Sequence, residues 1–118
     1  MEFDRFTISL LILRDDARAV DPEEEDALQD AHMAHLANLH DRGKLLAAGP
    51  ILGSPDRRIR GLSILSVDPE EARALEEEDP GVKAGRWRIE VYPWLVPGGA
   101  MSFARARFPR SLAEAQGN

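Results

Sequence analysis

Three histidines, His32, His35 and His40, fall within a short stretch of the chain. His32 and His35 are three residues apart, so on a helix they share a face. A pair at this spacing can hold a metal ion, or can lie hydrogen-bonded at the edge of a core. No carboxylate falls at a matching spacing and His40 is rotated away, so no metal site is expected. His35 stands between Leu28 and Ala31 on one side and Leu39 on the other. A titratable group on such an apolar stripe must find a hydrogen-bond partner. Its imidazole is therefore either a satisfied core group or a general base. Asp79 follows Glu76-Glu77-Glu78 and precedes Pro80, which biases its backbone away from the helix. By itself it reads as a helix-ending turn residue after a solvated acidic run. Arg57, Arg58 and Arg60 could bind an anion, but a solvated hairpin tip is the simpler reading.

Other chemistries are excluded. Cysteine is absent, which removes thiol nucleophiles, thiolate metal sites and disulfides. The chain has no glycine-rich phosphate loop, nucleophile elbow or dinucleotide fingerprint. Acidic residues number 21 against 15 basic ones, a formal charge of −6. Together with few, scattered aromatics this argues against nucleic acid and anionic membranes as partners. No apolar run reaches the ~20 residues a membrane helix needs. The start, Met1-Glu2-Phe3-Asp4-Arg5, lacks signal-peptide character, so a cytoplasmic location is expected. The 118 residues, 43% hydrophobic, suffice for one core.

These residues must be positioned by regular elements. Residues 3–13 alternate as a strand, with Phe6, Ile8, Leu10 and Ile12 on one face and Thr7, Ser9, Leu11 and Leu13 on the other. Asp21-Pro22-Glu23-Glu24 opens a helix running to about Arg42, with Gly43 as its left-handed stop. Its inward stripe is Leu28, Ala31, His32, His35, Leu36 and Leu39. Residues 44–53 and 61–67 read as strands, the first interrupted by Gly49-Pro50. Ser63, Leu65 and Val67 share one side of the later strand. Asp68-Pro69-Glu70-Glu71 opens a second helix over about residues 69–78, with Ala72, Ala74 and Leu75 buried. A compact turn follows, and residues 86–93 form a fourth strand with Trp87, Ile89 and Val91 inward. The order β-α-β-β-α-β predicts an α+β ferredoxin-like plait: a four-stranded antiparallel sheet with two helices on one face. The face without helices, expected to include Leu11 and Leu13, needs a partner, most simply a second copy. Residues 1–94 form the domain. Residues 95–118 are expected to be a linker followed by a C-terminal extension, a short arm or strand packing on the dimer partner.

Two segments resemble the YCII-related (YciI-like) family. One is Ala34-His35-Leu36-Ala37-Asn38-Leu39 followed by Arg42-Gly43-Lys44-Leu45-Leu46-Ala47-Ala48-Gly49-Pro50. The other is Glu78-Asp79-Pro80-Gly81-Val82-Lys83-Ala84-Gly85, closing at Tyr92-Pro93-Trp94. The resemblance spans about residues 5–94. It implies a dimeric α/β barrel in which two sheets pack face to face. It also implies a pocket in each subunit, with His35 and Asp79 as a catalytic dyad and Gly49 and Pro50 in its wall. His32 and Ser63 complete the expected substrate-binding set. Gly81 stands where the family often has an aromatic residue, which implies an open wall there.

The resemblance thus implies a homodimeric enzyme without a cofactor. It would act on a small cyclic or aromatic molecule by lyase or isomerase chemistry. A metabolite-binding or interaction module of the same fold is the alternative.

Overall fold

A computed structural model describes residues 1–117. Asn118, the end of the expected extension, lies outside the described residues. The strands are β1 (Phe3–Leu13), β2 (Leu45–Pro50), β3 (Ile59–Leu65) and β4 (Trp87–Pro97). The helices are α1 (Pro22–Asp41), α2 (Pro69–Glu76), and the single turns α3 (Pro80–Lys83) and α4 (Leu112–Ala115). The strands form one antiparallel sheet in the order β2-β3-β1-β4, the connectivity of the ferredoxin-like plait.

The two long helices start as capping chemistry demands. Asp21 accepts from the Glu24 amide and Asp68 from the Glu71 amide, each at 2.8 Å, and each precedes a proline. Gly43 ends α1 at φ +76°, a region that side chains with a Cβ avoid.

The core lies between the helices and one face of the sheet. Leu39, Leu45, Leu65 and Ala72 form one buried cluster, and Leu11, Trp87 and Ile89 form another. Leu11 and Leu13 therefore lie on the helix-covered side, not on the uncovered one. Thr7 and Ser9 share that side and are 2% and 3% exposed. Alternation separates the two faces without saying which one the helices take. The buried Thr7 hydroxyl is satisfied by donating to the Val67 carbonyl at 2.6 Å. The opposite face presents Phe6, Ile8, Leu10 and Leu62, all half-buried, across the registers Ile8↔Ile64 and Leu10↔Leu62.

One expectation for the chain's last quarter is corrected. Leu95, Val96 and Pro97 do not open a linker. They continue β4 and pair with Arg5, Asp4 and Phe3. The residues beyond form no strand and lie against their own α1. Arg110 donates to Asn38 Oδ1 at 2.9 Å and reaches the Asp41 carboxylate. Arg105 donates to the Asp41 carbonyl at 3.2 Å, and the Leu112 amide donates to Asp30 Oδ1 at 2.7 Å. Arginines of this segment thus meet carbonyl and carboxylate oxygens of α1 in the same chain.

Candidate active site

The covered face of the sheet and the inner side of α1 enclose a cavity of about 380 Å³. That is within the usual range for small-molecule sites, about 300–1,000 Å³. His32, Met33 and Leu36 reach it from α1, Ser9 and Leu11 from β1, and Gly49 and Pro50 from β2. Ser63 and Arg60 contribute from β3 and Glu76 from α2, while Phe108, Pro109 and Leu112 of the tail close one side. His32, Gly49, Pro50 and Ser63 are thus brought together at one cavity.

His35 is not among the lining residues. Its Nε2 faces the Leu75 carbonyl at 3.1 Å, and burial pushes its pKa down while the Asp79 charge works in the opposite sense. An imidazole there is neutral and donates Nε2–H to that carbonyl. The side chain that meets Asp79 is His32, through Nδ1. The expected His35–Asp79 pair is therefore replaced by His32–Asp79. The reason is local. Ala31-His32 and Ala34-His35 repeat the same dipeptide three residues apart. Positions at that spacing differ by only about 60° around a helix. The spacing alone does not decide which one faces the sheet and which faces α2.

Asp79 is fully buried between α2 and α3. Its Oδ1 accepts from the Gly81 amide at 2.8 Å as the cap of α3, and its Oδ2 meets His32. Both oxygens are engaged, so the carboxylate is held fast. It fixes His32 as the Nδ1–H tautomer and leaves Nε2 as the ring nitrogen free for chemistry. Trp87 packs edge-on against the same imidazole, with ring centroids 5.2 Å apart.

Trp87 also corrects the expectation of an open wall at Gly81. A Cβ at position 81 would lie 2.2 Å from two carbons of the Trp87 ring. The missing side chain at 81 is the space that the indole fills.

Two residues of the cavity depart from what the sequence suggests. Glu76 belongs to an acidic run that reads as solvated, yet it is 2% exposed. The available signal is its place four residues after the buried Ala72, on the same stripe of α2. Burial pushes its carboxyl up to about 7; the Asp79 charge adds to the rise and His32 opposes it. Arg60 belongs to the arginine cluster expected at a solvated tip. The register slips so that Leu11 faces Gly61 and Ile12 faces Ile59, leaving Arg60 as the extra residue of a bulge. Bulges re-aim side chains, and Arg60 lines the cavity while Arg57 and Arg58 stay exposed.

Among the described residues no three His, Asp or Glu side chains group as metal ligands. No described helix is long and apolar enough to cross a membrane.

Comparison with known proteins agrees with this architecture. The model of the YCII-related domain matches residues 8–95. Protein YciI of Escherichia coli and of Shigella flexneri are each 35% identical over 80 residues, covering 61% of this chain and 82% of theirs. A solved structure with the same fold is 5-chloro-2-hydroxyhydroquinone dehydrochlorinase from Burkholderia phenoliruptrix, in complex with 2,5-dihydroxybenzoquinone. It superposes with a TM-score of 0.55 at 23% identity, over 75% of this chain and 92% of that one. The chain belongs to the YCII-related domain family.

Proposed function

We propose that the protein is a homodimeric enzyme that moves a proton on a small cyclic or aromatic molecule, in a lyase or isomerase type of reaction. The observation that carries this reading is the contact of His32 Nδ1 with the buried Asp79 carboxylate at the wall of the cavity. His32 Nε2 takes a proton from the ligand, and Asp79 stabilises the imidazolium that forms. The proton is then returned at a second position, or leaves with a departing group. Gly49, Pro50 and Ser63 serve as ligand wall, and the step draws on no cofactor. The likeness in fold to a dehydrochlorinase solved with a dihydroxybenzoquinone supports an oxygenated ring as ligand. The dimer would use the apolar sheet face around Ile8, Leu10 and Leu62.

The test combines chloride release from chlorinated hydroxyquinols with solvent deuterium uptake into hydroxyquinone rings. Wild type should turn over, and His32→Ala and Asp79→Asn should stay folded but lose about 10²–10⁴ in rate. Equal rates in wild type and both variants would overturn the dyad. A wild type that binds such rings without turnover would identify a binding module instead. Sedimentation should show a dimer that Leu10→Asp dissociates.

A further inference from the structure

Glu76 and Arg60 in the cavity wall each carry a buried polar atom without a hydrogen-bond partner among the described residues. Glu76 is 2% exposed, and its Oε1 has no hydrogen-bond partner among the described residues. Arg60, on the β3 bulge, has a buried Nε in the same condition. Both line the same cavity, whose remaining wall is largely apolar through Leu11, Met33, Leu36 and Phe108. Leaving a buried carboxyl or guanidinium group unpaired is costly. A merely structural carboxyl would be satisfied as Asp79 is, by an amide and an imidazole.

We propose that Glu76 and Arg60 are ligand-binding residues that define the substrate class. Glu76 presents a neutral carboxyl whose O–H donates to a carbonyl or hydroxyl oxygen of the ligand. Arg60 holds an anionic oxygen of the same molecule. The substrate is then a small ring acid, carrying an ionised enol or carboxylate on one side and a neutral oxygen on another. This deepens the proposed function and rests on its reading of the cavity as the ligand site. The charged and titratable groups that act on Glu76 are Asp79 at the start of α3 and His32 on α1, and Arg60 lines the same cavity. Burial and the Asp79 charge favour the neutral acid, whose pKa is about 7.

The experiment is equilibrium binding of 2,5-dihydroxybenzoquinone between pH 5.5 and 8.5. Its enols are strongly acidic vinylogous acids, so the charge it carries changes little over this range while Glu76 titrates. Wild-type affinity should fall at least roughly tenfold from the acid to the alkaline end as Glu76 loses its proton. Glu76→Gln, which keeps an N–H donor, should bind as wild type does near pH 6 and lose that dependence. Glu76→Leu should weaken binding near pH 6 roughly tenfold, and Arg60→Met should weaken it roughly tenfold or more at every pH. Three results overturn the inference: no wild-type binding, wild-type affinity in Glu76→Leu and Arg60→Met, or an unchanged pH profile in Glu76→Gln. The dyad is read separately, by turnover of His32→Ala and Asp79→Asn. Tight binding that ignores Glu76 and Arg60, with turnover that needs His32, sinks this inference and leaves the proposed function standing.

Discussion

The middle and the C-terminal end of α1 use the same side chain for opposite purposes. At its C-terminal end His40 is 5% exposed, with both ring nitrogens engaged. Nδ1 donates to the Leu45 carbonyl at 2.7 Å, and Nε2 accepts from the Ala106 amide at 3.1 Å. Phe108 stacks on the ring, with centroids 4.0 Å apart. This histidine ties β2 and the tail to the helix and has no lone pair left for chemistry. Two turns earlier, His32 has one nitrogen held by Asp79 and lines the cavity. What separates a structural histidine from a reactive one here is not burial. It is how many of its two nitrogens the fold has already satisfied.

The largest effect should come from breaking the His32 site. Asp79→Asn keeps an oxygen for the Gly81 amide, so α3 stays capped, but it removes the charge that stabilises the imidazolium. We expect a loss of about 10³–10⁴ in turnover with little loss of stability, checked by single-turnover kinetics beside urea unfolding. A comparable substitution at the C-terminal end, His40→Ala, should leave the chemical step intact.

How much of this contrast is legible in the sequence depends on the interaction involved. The strands and helix starts are legible because they rest on local chemistry: alternation in β1, and the Asp-Pro pairs at residues 21–22 and 68–69. The family signature is legible because it is a linear pattern. The choice between His32 and His35 is not, because the Ala-His repeat fits either phase of the helix. The burial of Glu76 is hidden in a run of three glutamates, two of which are exposed. The aim of Arg60 depends on a register slip between strands far apart in sequence, which no local pattern reports. The tail's attachment to α1 rests on long-range bonds from Arg105, Ala106 and Arg110.

Next in size is a pH effect in the cavity. Glu76 has its pKa raised from 4.5 to about 7, so the folded state holds a proton that the unfolded chain has released. Stability should therefore be full below about pH 4.5 and decline as pH rises through 7. The whole change amounts to about 3 kcal/mol. Urea midpoints of wild type should fall over that window, and those of Glu76→Gln should stay nearly flat. A wild-type slope that persists in Glu76→Gln would place the effect elsewhere.

Two packing changes sharpen the contrast further. His40→Ala removes two hydrogen bonds and a ring stack, and should cost about 2 kcal/mol. It should also make the bonds after Arg105 and Arg107 faster targets for trypsin, because the Ala106 amide loses its acceptor. Gly81→Ala drives a methyl into the indole behind His32 and should cost about 1–3 kcal/mol. Adding Trp87→Leu should recover part of that cost. Without such recovery, the clash is not the cause.

The smallest effect should be at His35, and it separates the two histidines of the Ala-His repeat. His35→Gln replaces an N–H donor to the Leu75 carbonyl with another, so we expect a change within about 1 kcal/mol and turnover close to wild type. Its titration makes a sharper mark. Burial lowers the His35 pKa below its usual 6.5, so below that pH the unfolded chain binds a proton that the folded state resists. Stability from this group is full above the unfolded value and falls as pH drops, the opposite sign to Glu76. In Glu76→Gln, where the carboxyl no longer titrates, acidification below pH 6.5 should expose a shallow loss of stability. Adding His35→Gln should remove it. If the loss survives the double substitution, it arises from another group, and His35 is not the neutral, inward-bonded histidine that the Leu75 contact makes it.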